Sequence, residues 1–388
     1  MQRTTPVAEI TIPFQNVRLS HQTILPDYLA RLKALFNAPS PDFIGSNSPT
    51  VGALECDLAG YLGCKYTFGV ASGTDALILP LHALGIGPGD EVIVPAFGFI
   101  ATADVVVRLG ARPVFVDIDL NTYNMAPEKV EAAITPKTKA IIPVHLFGQC
   151  MDMGAIMDIA RRHKIPVIED VAQAMGAKWE EKRAGTWGDF GAYSFYPTKN
   201  LGGAGDGGLI STDNDEYAYI IKLFRDHGRG KTGFESIGYN SRLDAVQALY
   251  LHAKLPELDE CLYERVDNAR LYNRLLEGSG AALPSIPEGD LVHSFNLYTI
   301  RVHDRNRLRT YLSEKGIGTA VYYDVVMPLT PALQFLGHQA EEFPNALEAS
   351  KTVVSLPVWP GMTRQQIERV ADAVGVFLRN NVAMPATR

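Results

Sequence analysis

Phe190-Gly191-Ala192-Tyr193-Ser194-Phe195-Tyr196-Pro197-Thr198-Lys199-Asn200-Leu201-Gly202-Gly203-Ala204-Gly205-Asp206-Gly207-Gly208 begins as an apolar run and ends as a glycine-rich loop, with a lysine at the change. The first six residues have the length and composition of a buried strand. A lysine leaving a strand end into such a loop is placed to reach a ligand rather than bulk solvent. An earlier stretch, Pro166-Val167-Ile168-Glu169-Asp170-Val171-Ala172-Gln173, is a second apolar strand that ends on an acid. Open α/β sheets bind ligands beyond the carboxyl ends of their strands. Two chemically active side chains at two such ends therefore predict both the fold and the place of its site.

The neighbouring sequence supports that fold. Helical periodicity over Thr74–Leu84, Ile100–Leu109, Pro127–Ile134 and Met153–His163 alternates with short apolar strands at Glu91–Pro95, Pro113–Asp117 and Ala140–Val144. Nearly continuous apolar strands between amphipathic helices predict a largely parallel sheet covered on both faces. The runs Ala192–Tyr196 and Gly208–Thr212 have no helix between them, so part of the sheet is expected to be mixed. A long helical segment from Asp244 past Leu271 is expected to link two domains. Beyond it, strands at Asn296–Val302 and Thr319–Tyr323 and helices at Arg305–Lys315 and Arg364–Leu378 predict a smaller α/β domain. The expected division is a large domain over 1–245 and a small one over 246–388. Asn37–Val51, rich in Pro, Ser, Asn and Gly, reads as a loop.

At 388 residues the chain is too long for one simple core. A net charge of −7 argues against a general nucleic-acid or membrane-surface binder, which needs a basic face. The four cysteines, Cys56, Cys64, Cys150 and Cys261, form no C-x-x-C spacing. Reduced thiols in a cytoplasmic protein are expected, with neither a metal site nor an iron–sulfur cluster. Met1–Val7 is not followed by the apolar stretch of a signal peptide, and no apolar run is long enough to span a bilayer.

Taken singly, the candidate site residues are ambiguous. Ser72-Gly73-Thr74 before a helix can cradle a phosphate with free backbone N–H groups, or can simply cap the helix. Asp170 can cap the helix that follows it, Gln173 can be a surface amide and Lys199 a surface lysine. Phe97 and Phe99 can lie on a flat ligand ring or in the core. Together they occupy strand ends and a helix start of one sheet. An acid that keeps a pyridine nitrogen protonated and a lysine that carries an aldehyde as a Schiff base are the pair that pyridoxal 5'-phosphate (PLP) chemistry requires.

The chain resembles the DegT/DnrJ/EryC1/StrS family of PLP-dependent nucleotide-sugar aminotransferases. The resemblance rests on Ser72–Leu77, Gly89–Pro95, Val144–Gln149, Glu169–Gln173, Ser194–Gly202 and Gly238–Asp244, which run in family order. It implies the fold-type-I PLP-dependent transferase fold. It also implies that Lys199 forms the Schiff base and shuttles the proton. Asp170 would pair with the pyridine nitrogen and Gln173 would contact the ring oxygen. Gly73, Thr74 and Ser194 would hold the phosphate, and Phe99 would stack on the ring. Asn240 would reach the phosphate of a neighbouring subunit, which implies a homodimer with shared sites. L-glutamate would be the amino donor and a nucleotide-linked keto-hexose the acceptor. Tyr322–Leu329, Gly98 and Ser40–Val51 depart from the common family pattern in segments that tend to face the sugar. The alternatives are a sugar dehydratase or cyclising dehydratase on the same scaffold, and a non-catalytic regulatory homologue. Dehydratase relatives carry histidine in place of the lysine, so Lys199 argues against that one.

Overall fold

The computed structural model describes residues 11–39 and 48–382. Strands β1 (Tyr66–Val70), β2 (Glu91–Pro95), β3 (Arg112–Val116), β4 (Thr138–Ile141), β5 (Ile168–Asp170), β6 (Phe190–Ser194) and β7 (Gly208–Thr212) build the main sheet. One part has the order β1-β7-β6-β5 and another the order β3-β2-β4. Parallel bridges Ile141↔Val167 and Val144↔Asp170 join β4 to β5 and make the sheet continuous. The pairs β2/β3, β2/β4 and β5/β6 are parallel. Only β7 runs the other way, antiparallel to both β1 and β6. The expected mixed region is therefore one reversed strand, set where the sequence leaves no helix between β6 and β7. All the other strands end on the same edge.

Helices α1 (Val17–Asn37) and α2 (Pro49–Leu62) precede the sheet, and α3 (Gly73–Ala83), α4 (Ala101–Arg108), α5 (Pro127–Ala132), α6 (Met153–His163) and α7 (Asp215–Phe224) are interleaved with it. Helix α3 is buried along Ala76–Leu81, as befits an element packed inside a layered fold. The expected loop Asn37–Val51 is shorter than its composition indicated. Asn37 closes α1, Pro49 opens α2 behind the Ser48 cap, and residues 40–47 lie outside the described residues.

The single long helix expected from Asp244 is broken. Helix α8 (Ala245–Lys254) passes through a 3-10 turn at Leu255–Glu257 into α9 (Leu258–Leu276). Pro256 lacks the N–H that the ladder needs there. Strands β8 (Tyr298–Arg301) and β9 (Val353–Leu356) pair antiparallel beside helices α10 (Arg305–Glu314), α11 (Pro344–Thr352) and α12 (Arg364–Val382). Thr319–Tyr323 is not a strand. Its one ladder contact is an antiparallel bridge from Ala320 to Ser355, after which the chain turns toward the main sheet. The apolar core is continuous between the two sheets, with Leu54 and Leu58 of α2, Tyr193 of β6, Leu262 of α9, Tyr298 of β8 and Val370 of α12 in one cluster.

Candidate active site

The candidate residues lie on the edge where the parallel strands end. Strand β1 leads through Ser72 into α3, β2 into Phe97 and Phe99, β5 into Gln173, and β6 into Lys199. The Ser72 hydroxyl caps α3 by accepting from the Asp75 N–H at 3.1 Å. Among the described residues no partner accepts from the N–H groups of Gly73 and Thr74, the first orphan donors of a helix start. A Cβ on Gly73 would stand 2.8 Å from the Ser194 Cβ. Only glycine allows this approach, and it sets the Ser194 hydroxyl beside the two free donors. That hydroxyl accepts from the Tyr196 N–H at 3.3 Å and keeps its own proton to donate. Three donors converging at a helix start fit a phosphate group.

Asp170 is buried at the end of β5. Thr102 Oγ1, in the first turns of α4, donates to its Oδ2 at 2.9 Å, and the Ala172 N–H donates to Oδ1 at 3.1 Å. Burial pushes the carboxyl above its ordinary value, while these two donors and the charge of Lys199 pull it back. Lys199 is half-buried. Desolvation brings its ammonium down to about 8, against the opposing attraction of Asp170. The two groups expected to act together therefore do sense each other's charge.

The Gln173 side chain is held at both ends. Its Oε1 accepts from the Phe147 N–H at 2.8 Å, and its Nε2 donates to the Tyr323 hydroxyl at 3.0 Å. Phe99 is 57% exposed, an open aromatic face at the site, whereas Phe97 is fully buried. Of these two, Phe99 alone is free to cover a ligand ring. Asn240 stands apart. Its side chain is exposed and makes no hydrogen bond among the described residues, although its neighbour Ser241 donates to Asp75 of α3 at 2.9 Å.

Several residues escaped sequence reading. Thr102 is a hydroxyl among the otherwise apolar buried positions of α4 (Ala101, Ala103, Val105 and Val106), and that polar interruption is the signal that could have found it. Tyr323 comes from the distant segment that folds back over Ala96–Phe99, where the Met327 N–H donates to the Ala96 carbonyl at 2.8 Å. Glu169 faces away from Asp170. It accepts from the N–H groups of Gly185, Trp187 and Gly188 and from His145 Nε2 at 3.0 Å. The Met151 N–H donates to His145 Nδ1, which leaves the ring proton on Nε2. A cavity of about 320 Å³ is lined by Lys199 itself with Lys254, Glu264, Arg265 and Trp359, but not by Asp170 or Gln173.

Residues 32–375 match the profile of the DegT/DnrJ/EryC1/StrS aminotransferase family. A "pleiotropic regulatory protein" of Geobacillus stearothermophilus is 46% identical over 85% of this chain and 90% of its own length. A UDP-N-acetyl-3-dehydro-alpha-D-glucosamine 3-aminotransferase of Acidithiobacillus ferrooxidans is 45% identical over 83% of this chain and 87% of its own. The crystal structure of S. venezuelae DesV, in complex with a ketimine intermediate, superposes with a TM-score of 0.90 at 37% identity. That match covers 95% of this chain and 98% of DesV.

Proposed function

We propose that this chain, which belongs to the DegT/DnrJ/EryC1/StrS aminotransferase family, moves an amino group from L-glutamate to a nucleotide-linked keto-hexose. The observation that carries this reading is the pair of Asp170, a buried carboxylate, and Lys199, a lysine brought down to about 8. The described residues fit pyridoxal 5'-phosphate. The Gly73, Thr74 and Ser194 donors suit its phosphate, Asp170 its ring nitrogen, Gln173 its ring oxygen and Phe99 its face. When bound, this cofactor supplies an aldehyde that condenses with amines and a ring that withdraws electrons from the substrate carbon.

The protein's own part is proton handling and orientation. An ammonium near 8 leaves roughly a tenth of Lys199 neutral at pH 7, far more than an ordinary lysine offers. Its Nζ would then be both nucleophile and general base, moving the proton from the donor's Cα to the cofactor carbon within the first half-reaction and from that carbon to the acceptor carbon in the second. Thr102 and the Ala172 N–H hold Asp170 as an oriented anion, and an anion there favours a cationic ring nitrogen. The intact lysine and acid favour catalysis over a purely regulatory role, although one relative carries a regulatory name.

We read residues 1–245 as the cofactor-binding domain and 246–388 as the smaller one. Asn240, exposed and unengaged, suits a contact with a second subunit's phosphate in a cytoplasmic homodimer. A panel of nucleotide-linked 3-keto and 4-keto hexoses with glutamate, read as 2-oxoglutarate release, tests the function. Release that depends on one class of keto sugar is expected. Release with no member of the panel, by a protein that holds the cofactor, would overturn it.

A further inference from the structure

The Gln173 amide has a fixed orientation. The Phe147 backbone N–H can only donate, so the atom 2.8 Å from it must be the carbonyl oxygen of Gln173. Nε2 therefore lies toward Tyr323, and its N–H···O contact at 3.0 Å makes the phenol oxygen the acceptor. One Nε2 proton is used there, and the second has no partner among the described residues. The Tyr323 ring is itself held in place. Its centroid is 6.0 Å from Phe97 in an edge-on contact and 6.3 Å from Phe99. Burial holds its hydroxyl above the ordinary tyrosine range, with Gln173 opposing and Asp170 adding to the effect. The phenol therefore stays protonated and neutral at working pH and is not a proton-transfer base.

We propose that Tyr323 is a positioning residue: with the Phe147 N–H it locks the Gln173 amide so that its free N–H faces the ring oxygen of the cofactor. The proposal rests on the reading that Gln173 meets that oxygen. Without Tyr323 the amide keeps only one of its two anchors and swings about the Phe147 contact. A donor at the ring oxygen favours whichever form of the bound cofactor has more negative charge there, which is the deprotonated one. Weakening that donor raises the pH midpoint of the visible absorption.

The test loads the full-length protein with PLP and titrates that absorption in wild type, Tyr323→Phe, Gln173→Ala and the double variant. Phenylalanine keeps the ring between Phe97 and Phe99, and equal melting temperatures check the fold. Tyr323→Phe should raise the midpoint by about half a pH unit or more, the scale of one weakened hydrogen bond. Gln173→Ala should raise it at least as far, and the double variant should match Gln173→Ala, because the two residues act in series. A wild-type midpoint in Tyr323→Phe would overturn the proposal, as would a double variant shifted beyond Gln173→Ala. A wild-type midpoint in Gln173→Ala would instead remove the reading of Gln173 itself, and this proposal with it.

Discussion

Glu169 and Asp170 are adjacent carboxylates on one strand, both buried, yet the chain treats them differently. Successive strand residues face opposite sides of the sheet. Glu169 turns into a closed nest of three backbone N–H groups and the His145 ring. Asp170 turns toward the site and, among the described residues, has only Thr102 and the Ala172 N–H as neutral donors, with Lys199 as its counter-charge. The saturated acid ties the Gly185–Gly188 loop to β5. The under-satisfied acid has lone pairs that a cationic ligand would take on the reading proposed above. A buried charge with fewer donors than it can accept is a liability in the empty protein and an asset once a cation arrives.

The largest effect should follow from Glu169→Gln. The amide presents one oxygen where backbone donors meet both carboxylate oxygens, and it sets an N–H against N–H groups. Denaturant unfolding should show a loss of about 3 kcal/mol or more, the scale of breaking a buried charged network. An unchanged midpoint would erase the contrast between the two acids.

Asp170→Asn keeps the shape of its side chain and should leave the protein folded. Turnover should drop on the order of a hundredfold, as when one strong transition-state interaction is lost. Unfolding free energy should fall by less than about 1 kcal/mol, because the charge removed was itself costly to bury. Ordinary rates in this variant would place the pyridine partner elsewhere.

Lys199 extends the comparison to pH. Its folded value, about 8, lies below the ordinary lysine value of 10.5, so the unfolded chain binds more protons between them. Stability of the cofactor-free protein should therefore rise with pH across that window, and the penalty for burying the ammonium should be fully present below about 8. Lys199→Met should flatten this rise and stabilise the cofactor-free protein at neutral pH by on the order of 1–3 kcal/mol. Unfolding curves of the two proteins at several pH values check it, and parallel curves would contradict it.

Thr102→Val should give the smallest change. One donor to Asp170 is lost, so its carboxyl moves further upward. Activity should fall about fivefold, with the acid limb of the pH profile displaced to higher pH. A uniform loss with an unmoved limb would make Thr102 a packing residue only.

The sheet and half the site were legible in the sequence for one reason. Strands buried on both faces are continuous apolar runs, and Asp170 and Lys199 mark the ends of two of them. Gly73 and Thr74 were legible as a helix start, and the structure adds the close approach to Ser194 that gives them meaning. Thr319–Tyr323 misled because an aromatic and β-branched run resembles a strand when nothing in it reveals a missing partner. Tyr323 and Thr102 were hidden because their roles depend on long-range closure: the Tyr322–Leu329 segment over Ala96–Phe99, and α4 against β5. Glu169 and Asp170 cannot be told apart in sequence, since their difference lies in which donors each face of the sheet collects.

The central claim is that Lys199, desolvated within reach of Asp170's charge, is the lysine that bonds the cofactor. Borohydride reduction of the PLP-loaded protein, followed by peptide mapping, tests it most directly. Lys254 is the natural competitor, since desolvation brings it to about 8 as well, but it donates to the Gly202 carbonyl at 2.8 Å, and the acid acting on its charge among the described residues is the exposed Glu257. The account predicts a pyridoxyl group on Lys199 alone. A label on Lys254, or a reduced protein with no labelled lysine, would contradict it.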